Sequence, residues 1–262
     1  MKNISISLIL LLSIISVSEA QIVGKNLSYD VDGVTMNGFM AYDDSIKGKR
    51  PGVIVVHEWW GHNDYARNRA KMLAKLGYTA IALDMYGDGK QASHPKDAGK
   101  MAGEVRNNKK KMISRFQAAK KILEAESRTD ATKIAAIGYC FGGGVVLEVA
   151  RSGESLAGVV SFHGSLATSS PAKPNEINTK VLVLNGDDDP FVKPEQISQF
   201  KEEMKNAKVD FQFISYPGAK HAFTNPEADV FGKKFSIPLA YNKAADESSW
   251  RDMQDFFNKI FK

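Results

Sequence analysis

The sequence predicts an α/β fold: a three-layer sandwich in which helices cover both faces of a mostly parallel sheet, with an antiparallel hairpin at its N-terminal edge. Three observations predict it. Short β-branched runs alternate with helical segments from Gly52 to the C-terminus, the pattern of parallel strands joined by helical crossovers. Val23 to Asp43 instead alternates apolar and polar residues around Asp32-Gly33, which reads as a hairpin. A glycine-rich turn, Gly138-Tyr139-Cys140-Phe141-Gly142-Gly143, joins an apolar run to a helical one.

Taken in order, Gly52 to Val56 is a short buried strand, and Asp64 to Leu76 is a helix with Asp64 as its cap and Gly77 as its stop. Tyr78 to Leu83 is the next strand. Ala98 to Ala125 reads as one long helical stretch. Lys133 to Ile137 is the strand that enters the glycine-rich turn, and Val145 to Ala150 is helical. Gly158 to Phe162, Val181 to Leu184 and Phe211 to Ser215 are three further strands. Pro194 to Asn206 is a helix between the last two, and Leu239 to Phe261 closes the chain as an amphipathic helix. With no repeat or linker in between, residues 21–262 form a single domain. A chain of 262 residues that is 43% hydrophobic has the material for one large core.

Residues 1–20 differ in kind. Lys2 precedes an apolar run from Ile4 to Val17, and Ser18-Glu19-Ala20 follows. This is the plan of a secretory signal peptide cut after Ala20. The expectation is a periplasmic or secreted protein without stable membrane association after cleavage. Cys140 is the sole cysteine, so no intramolecular disulfide can form. The net charge of +5 is modest, and the densest basic run, Lys109-Lys110-Lys111, lies on a helical pattern opposite Met112, Ile113 and Phe116. It reads as a solvated face, so no nucleic-acid partner is expected.

In sheets of this kind ligands bind beyond the carboxyl ends of the strands, and the chemically capable residues lie just there. Cys140 occupies the middle of a Gly-x-Cys-x-Gly elbow. Such a turn lifts a nucleophile clear of the sheet and aims helix N-terminal amides at the reaction centre. Asp189 follows the Val181–Leu184 strand within Asp187-Asp188-Asp189, and His221 follows the Phe211–Ser215 strand. Nucleophile, acid, histidine is the chain order of α/β-hydrolases. His221 would take the thiol proton and Asp189 would orient the imidazole. His57-Glu58-Trp59-Trp60-Gly61 follows the Gly52–Val56 strand, where a second oxyanion donor belongs; the backbone N–H groups of Trp59 and Phe141 are the candidates. Glu58 is a carboxylate among tryptophans, able to exchange a proton with the thiol if burial raises its pKa, or simply a structural group. Trp60, Tyr86, His163 and Phe223 are candidate pocket walls, each with a structural alternative.

These residues resemble the dienelactone hydrolase family of α/β-hydrolases. The matching blocks are His57-Glu58-Trp59-Trp60-Gly61, Asp84-Met85-Tyr86-Gly87, Gly138-Tyr139-Cys140-Phe141-Gly142-Gly143, Gly186-x-x-Asp189-x-Phe191-Val192 and His221-x-Phe223. With Tyr241-Asn242 and Ala244-Ala245 near Trp250, they span nearly the whole mature chain. The resemblance implies a carboxylic ester hydrolase acting on a small-molecule ester or lactone through an acyl-thioester. Its triad would be Cys140, His221 and Asp189, Glu58 would gate the thiol, and no metal or organic cofactor would take part. Two positions depart from the family. The arginines that clamp an anionic lactone are matched here by Asp88 and Asn225. The expectation is therefore a substrate other than dienelactone, with a neutral or cationic acyl group, near Asp88 and Asn225.

Three other readings compete. A zinc hydrolase would need His-Glu-x-x-His, but position 61 is glycine and the next histidine, His62, is one residue too late. Asp187 to Asp189 lack the spacing of a calcium loop. A redox thiol protein would have to find its resolving thiol in another molecule. A non-catalytic ligand-binding protein on the same fold would have no use for a full set of nucleophile, base, acid and oxyanion positions.

Overall fold

The computed structural model describes residues 20–262; the expected leader, residues 1–19 of it, lies outside the described residues. Eight strands form one sheet in the order β1-β2-β4-β3-β5-β6-β7-β8. The hairpin of β1 (Ile22–Val31) and β2 (Val34–Asp43) turns at Asp32-Gly33, and β2 joins β4 (Thr79–Leu83) antiparallel. From β4 onward every pairing is parallel: β3 (Arg50–Val56), β5 (Thr129–Tyr139), β6 (Gly158–Phe162), β7 (Lys180–Gly186) and β8 (Phe211–Tyr216). The predicted class, with its antiparallel edge, is the observed one.

Strand alternation divides the core into two layers. Ile54, Val56, Ile81, Leu83, Ala136, Val159 and Val183 face one side, against α3 (Lys109–Ala125), α4 (Phe141–Arg151) and α5 (Pro194–Asn206) through Phe116, Val146 and Phe200. Their neighbours Val53, Val55, Ala80, Ala82, Ile137, Val160 and Leu184 face the other side. There they meet α1 (Asp64–Lys75) and α7 (Lys243–Ile260) through Leu73, Met253 and Phe257.

Four sequence expectations change. Asn63, not Asp64, caps α1, its side chain accepting from Ala66 N–H at 3.4 Å. The stretch from Ala98 to Ala125 is two helices, α2 (Pro95–Arg106) and α3, because Asn107 ends the first and Asn108 caps the second by accepting from Lys111 N–H. The last helix begins at Lys243, capped by Asn242, rather than at Leu239. A short helix, α6 (Ala228–Phe235), forms where the sequence shows no clear period, its aromatic side chains packed on Trp60.

The strand–helix turn at Cys140 depends on two close approaches. A Cβ on Gly138 would lie 2.0 Å from the carbonyl oxygen of Gly142, and a Cβ on Gly142 would lie 2.3 Å from that of Val56. Both obstacles are backbone and cannot swing aside. Gly138→Ala should therefore lower stability by about 3 kcal/mol or more, or abolish soluble folding. In Gly103→Ala the new methyl on α2 meets open space, and stability should rise by about 0.5–1 kcal/mol. Urea midpoints of the two variants check the pair.

Candidate active site

Every residue singled out for chemistry follows a parallel strand at its carboxyl end: Glu58 and Trp59 after β3, Cys140 after β5, His163 after β6, Asp189 after β7 and His221 after β8. Cys140 has φ 53° and ψ −114°, a left-handed conformation for a side-chain-bearing residue, at a cost of roughly 1–3 kcal/mol. It immediately precedes α4, so the amide of Phe141 is the first of that helix and has no intrahelical acceptor.

His221 Nδ1 lies 2.8 Å from Asp189 Oδ2. The other oxygen of Asp189 accepts from Phe191 N–H at 2.9 Å, which fixes the carboxylate in its loop. Asp189 is buried, whereas Asp187 and Asp188 are exposed; the choice among the three acids is made by burial. Burial opposes a charge on His221. The neighbouring Cys140 sulfur and Asp189 outweigh it and hold the His221 pKa up to about 10.

The loop after β3 is held from behind by two side chains. His57 is fully buried, and its pKa is lowered, chiefly by burial, so the ring is neutral. Its Nε2 accepts from Met85 N–H at 3.2 Å, which leaves Nδ1–H to donate to the Glu58 carbonyl at 2.5 Å. Gly61 N–H reaches the same carbonyl. That carbonyl shares a rigid peptide plane with Trp59 N–H, so pinning the oxygen sets the direction of the amide. Tyr86 Oη donates to the next carbonyl, that of Trp59, at 2.9 Å. The loop carrying Tyr86 is gathered by Asp84, which accepts from the amides of Asn37, Tyr86, Gly87 and Gly89.

Glu58 is 2% exposed, and its Oε2 accepts from Asn225 Nδ2 at 2.6 Å. Burial raises its pKa to about 7, against the opposing pull of Asn225, His221 and Arg69.

Cys140 and His221 line one cavity of about 320 Å³ with Trp59, Phe141, Phe191, Val192 and Leu239. Ser165 and the α2 residues Gly99, Ala102 and Arg106 complete its wall. None of the six residues expected at the substrate is among them. Trp60 packs on Phe231 of α6 at 4.7 Å while Trp59 takes the cavity side. Tyr86 lies behind the loop it supports. Asp88 is exposed and paired with Lys90 at 2.9 Å. His163 and Phe223 are completely buried, with rings 5.2 Å apart. Asn225 is engaged with Glu58. These placements correct the expected wall. The arginine on α2, the exposed Phe191 and Leu239 were missed. Phe191 alone carried a signal, as part of the block around Asp189.

A model of the dienelactone hydrolase family matches residues 36–261. The chain belongs to the dienelactone hydrolase family. A protein of Aquifex aeolicus, provisionally named a carboxymethylenebutenolidase, is 28% identical over 218 residues, covering 81% of this chain and 92% of the relative. Among solved structures, a dienelactone hydrolase-like promiscuous phosphotriesterase from metagenomic libraries is 34% identical with a TM-score of 0.85, covering 91% of this chain and 98% of the other. The protein m3DLH is 36% identical with a TM-score of 0.86, covering 92% and 99%. This family assignment supports hydrolase activity on a small-molecule ester or lactone.

The buried Glu58 gives a pH signature. Its native pKa of about 7 lies above the ordinary 4.5. Between those values the native state keeps a proton that the unfolded chain releases, so stability falls as pH rises through the window. The contribution amounts to roughly 3 kcal/mol. Urea unfolding at pH 4.5 and at pH 8 should show wild type losing more stability than Glu58→Gln, whose side chain does not titrate.

Proposed function

We propose that this protein is a carboxylic ester or lactone hydrolase in which Cys140 is the nucleophile, His221 the base and Asp189 its orienting acid. The observation that carries the reading is the shared cavity of Cys140 and His221, with Asp189 bonded to the far nitrogen of the imidazole at 2.8 Å. The Nδ1 bond leaves Nε2 as the nitrogen available to the thiol. The thiol proton passes to Nε2, and the thiolate adds to the substrate carbonyl. The oxyanion is received by the N–H groups of Trp59 and Phe141, neither of which has an acceptor among the described residues. Collapse expels the alcohol or opens the lactone, with His221 returning the proton to the leaving oxygen. Water, deprotonated by His221, then cleaves the thioester. Glu58, held near neutrality by burial, exchanges a proton with the sulfur in the resting state.

The lining argues for the substrate class. Its walls are largely apolar, and Arg106 is exposed at the cavity with no ion pair among the described residues. A substrate that joins an apolar acyl group to an anionic end fits this wall better than the neutral or cationic one expected from Asp88 and Asn225. The pattern of residues 1–20 supports export, and cell fractionation checks it: the protein should be found outside the cytoplasm.

Hydrolysis of a short-chain activated ester should fall by roughly 10³-fold or more in Cys140→Ala and cease after iodoacetamide. Activity that survives in Cys140→Ala would reject the nucleophile. No activity on esters, lactones or a neutral phosphotriester would favour the non-catalytic binding reading. Arg106→Gln should lower kcat/KM for a carboxylate-bearing ester by roughly 5–10-fold and leave its neutral analogue unchanged.

A further inference from the structure

His163 touches neither the cavity nor solvent, yet it bonds to the backbone of the proposed nucleophile. It follows β6 with φ 39°, another left-handed residue, directly after the strand that pairs with the one leading to Cys140. Its Nδ1 accepts from Cys140 N–H at 3.1 Å, and the same amide reaches Phe162 O at 3.0 Å. An imidazole that accepts at Nδ1 carries its proton at Nε2, and that nitrogen is 2.7 Å from Thr224 Oγ1. Thr224 lies three residues beyond His221, in the loop that carries the base. Its hydroxyl shares a 2.6 Å bond with Tyr65 Oη. Its carbonyl accepts from Arg69 at 2.7 Å, and the same guanidinium is paired with Asp246 of α7 at 2.6 Å.

We propose that His163 is a positioning residue that sets the distance between sulfur and imidazole, by tying the strained amide of Cys140 to the His221 loop through Thr224. The inference rests on the Cys140–His221 reading above. Three properties of the site support it. The strained turn needs an external hold, since its own conformation is unfavourable. The ring bridges two loops that follow different strands, β5 and β8, which are not neighbours in the sheet. The bridge is buried throughout, His163 and Thr224 both being fully enclosed, so no water competes for its bonds. Only the neutral imidazole can serve, because protonation would turn Nδ1 into a donor facing Cys140 N–H and leave that amide to Phe162 O alone. Burial, with His221 and Arg69 nearby, holds the His163 pKa well below its usual value.

The test separates the two ends of the ring. His163→Asn keeps an acceptor near the place of Nδ1 and tolerates the left-handed backbone, but does not reach Thr224. His163→Gln reaches toward Thr224 and offers Cys140 N–H no acceptor at that place. Thr224→Val cuts the second link alone, and Thr224→Ser restores it. Ester hydrolysis and the iodoacetamide alkylation rate at fixed pH are measured on the full chain. In His163→Gln, kcat and the alkylation rate should each fall about tenfold, with KM within about twofold of wild type. His163→Asn should recover most of the alkylation rate, Thr224→Val should lower kcat, and Thr224→Ser should behave as wild type. A lowered Tm with kcat and alkylation intact would overturn the proposal, as would equal losses in His163→Gln and His163→Asn. Should His163→Gln fail to fold, the Thr224 pair decides: Thr224→Val indistinguishable from Thr224→Ser in kcat overturns the link. Hydrolysis that persists in Cys140→Ala would defeat the parent reading instead, whereas Cys140-dependent hydrolysis indifferent to His163 and Thr224 defeats this inference alone.

Discussion

The left-handed backbone of Cys140 at the end of the central strand is the constraint on which the site depends. The residue can project from the sheet edge only if α4 starts at once behind it, and α4 can start there only if its first turn lies against the backbone of β3 and β5. Glycine at 138 and 142 permits that approach. The same contact brings the N-terminus of α4 beside the loop after β3, so Phe141 and Trp59 come to border one cavity. An unfavourable local conformation is thus paired with close packing of the chain around it.

Two buried histidines show how irregular backbone is stabilised at such a place. His57 and His163 are each completely enclosed, each neutral, and each bonded at both ring nitrogens to groups outside regular structure. A neutral imidazole offers one donor and one acceptor in a rigid ring. It satisfies a loop carbonyl or hydroxyl on one side and a loop amide on the other without burying a charge. Regular sheet bonding ends where the site begins, and these rings take over its function for a residue or two.

The fold was legible because strands buried on both faces appear as short apolar runs, and because glycine-rich and acidic turns fall at their ends. The order of Cys140, Asp189 and His221 along the chain was legible for the same reason. The pocket wall was not. Trp59 and Trp60 are adjacent in a turn, and which one enters the cavity follows from local dihedrals rather than from any period. The break between α2 and α3 was hidden because both pieces carry helical periodicity across Asn107-Asn108. Arg106 reaches the cavity only because that break lets α2 lie over the elbow, a tertiary fact with no local signature. Asn225, expected at the substrate, is a partner for Glu58 that only the folded chain brings within reach.

Helix α2 contributes Gly99, Ala102 and Arg106 to the cavity at intervals of three and four residues, a single helical face. Cys140, Asp189 and His221 all lie outside that helix. That wall of the cavity is therefore separate in the chain from Cys140, Asp189 and His221. Exchanges on that one helix would reshape the cavity while the glycine turn, the imidazole and the acid stay untouched. In this architecture one wall of a cavity can be rebuilt without disturbing the turn that forms its floor.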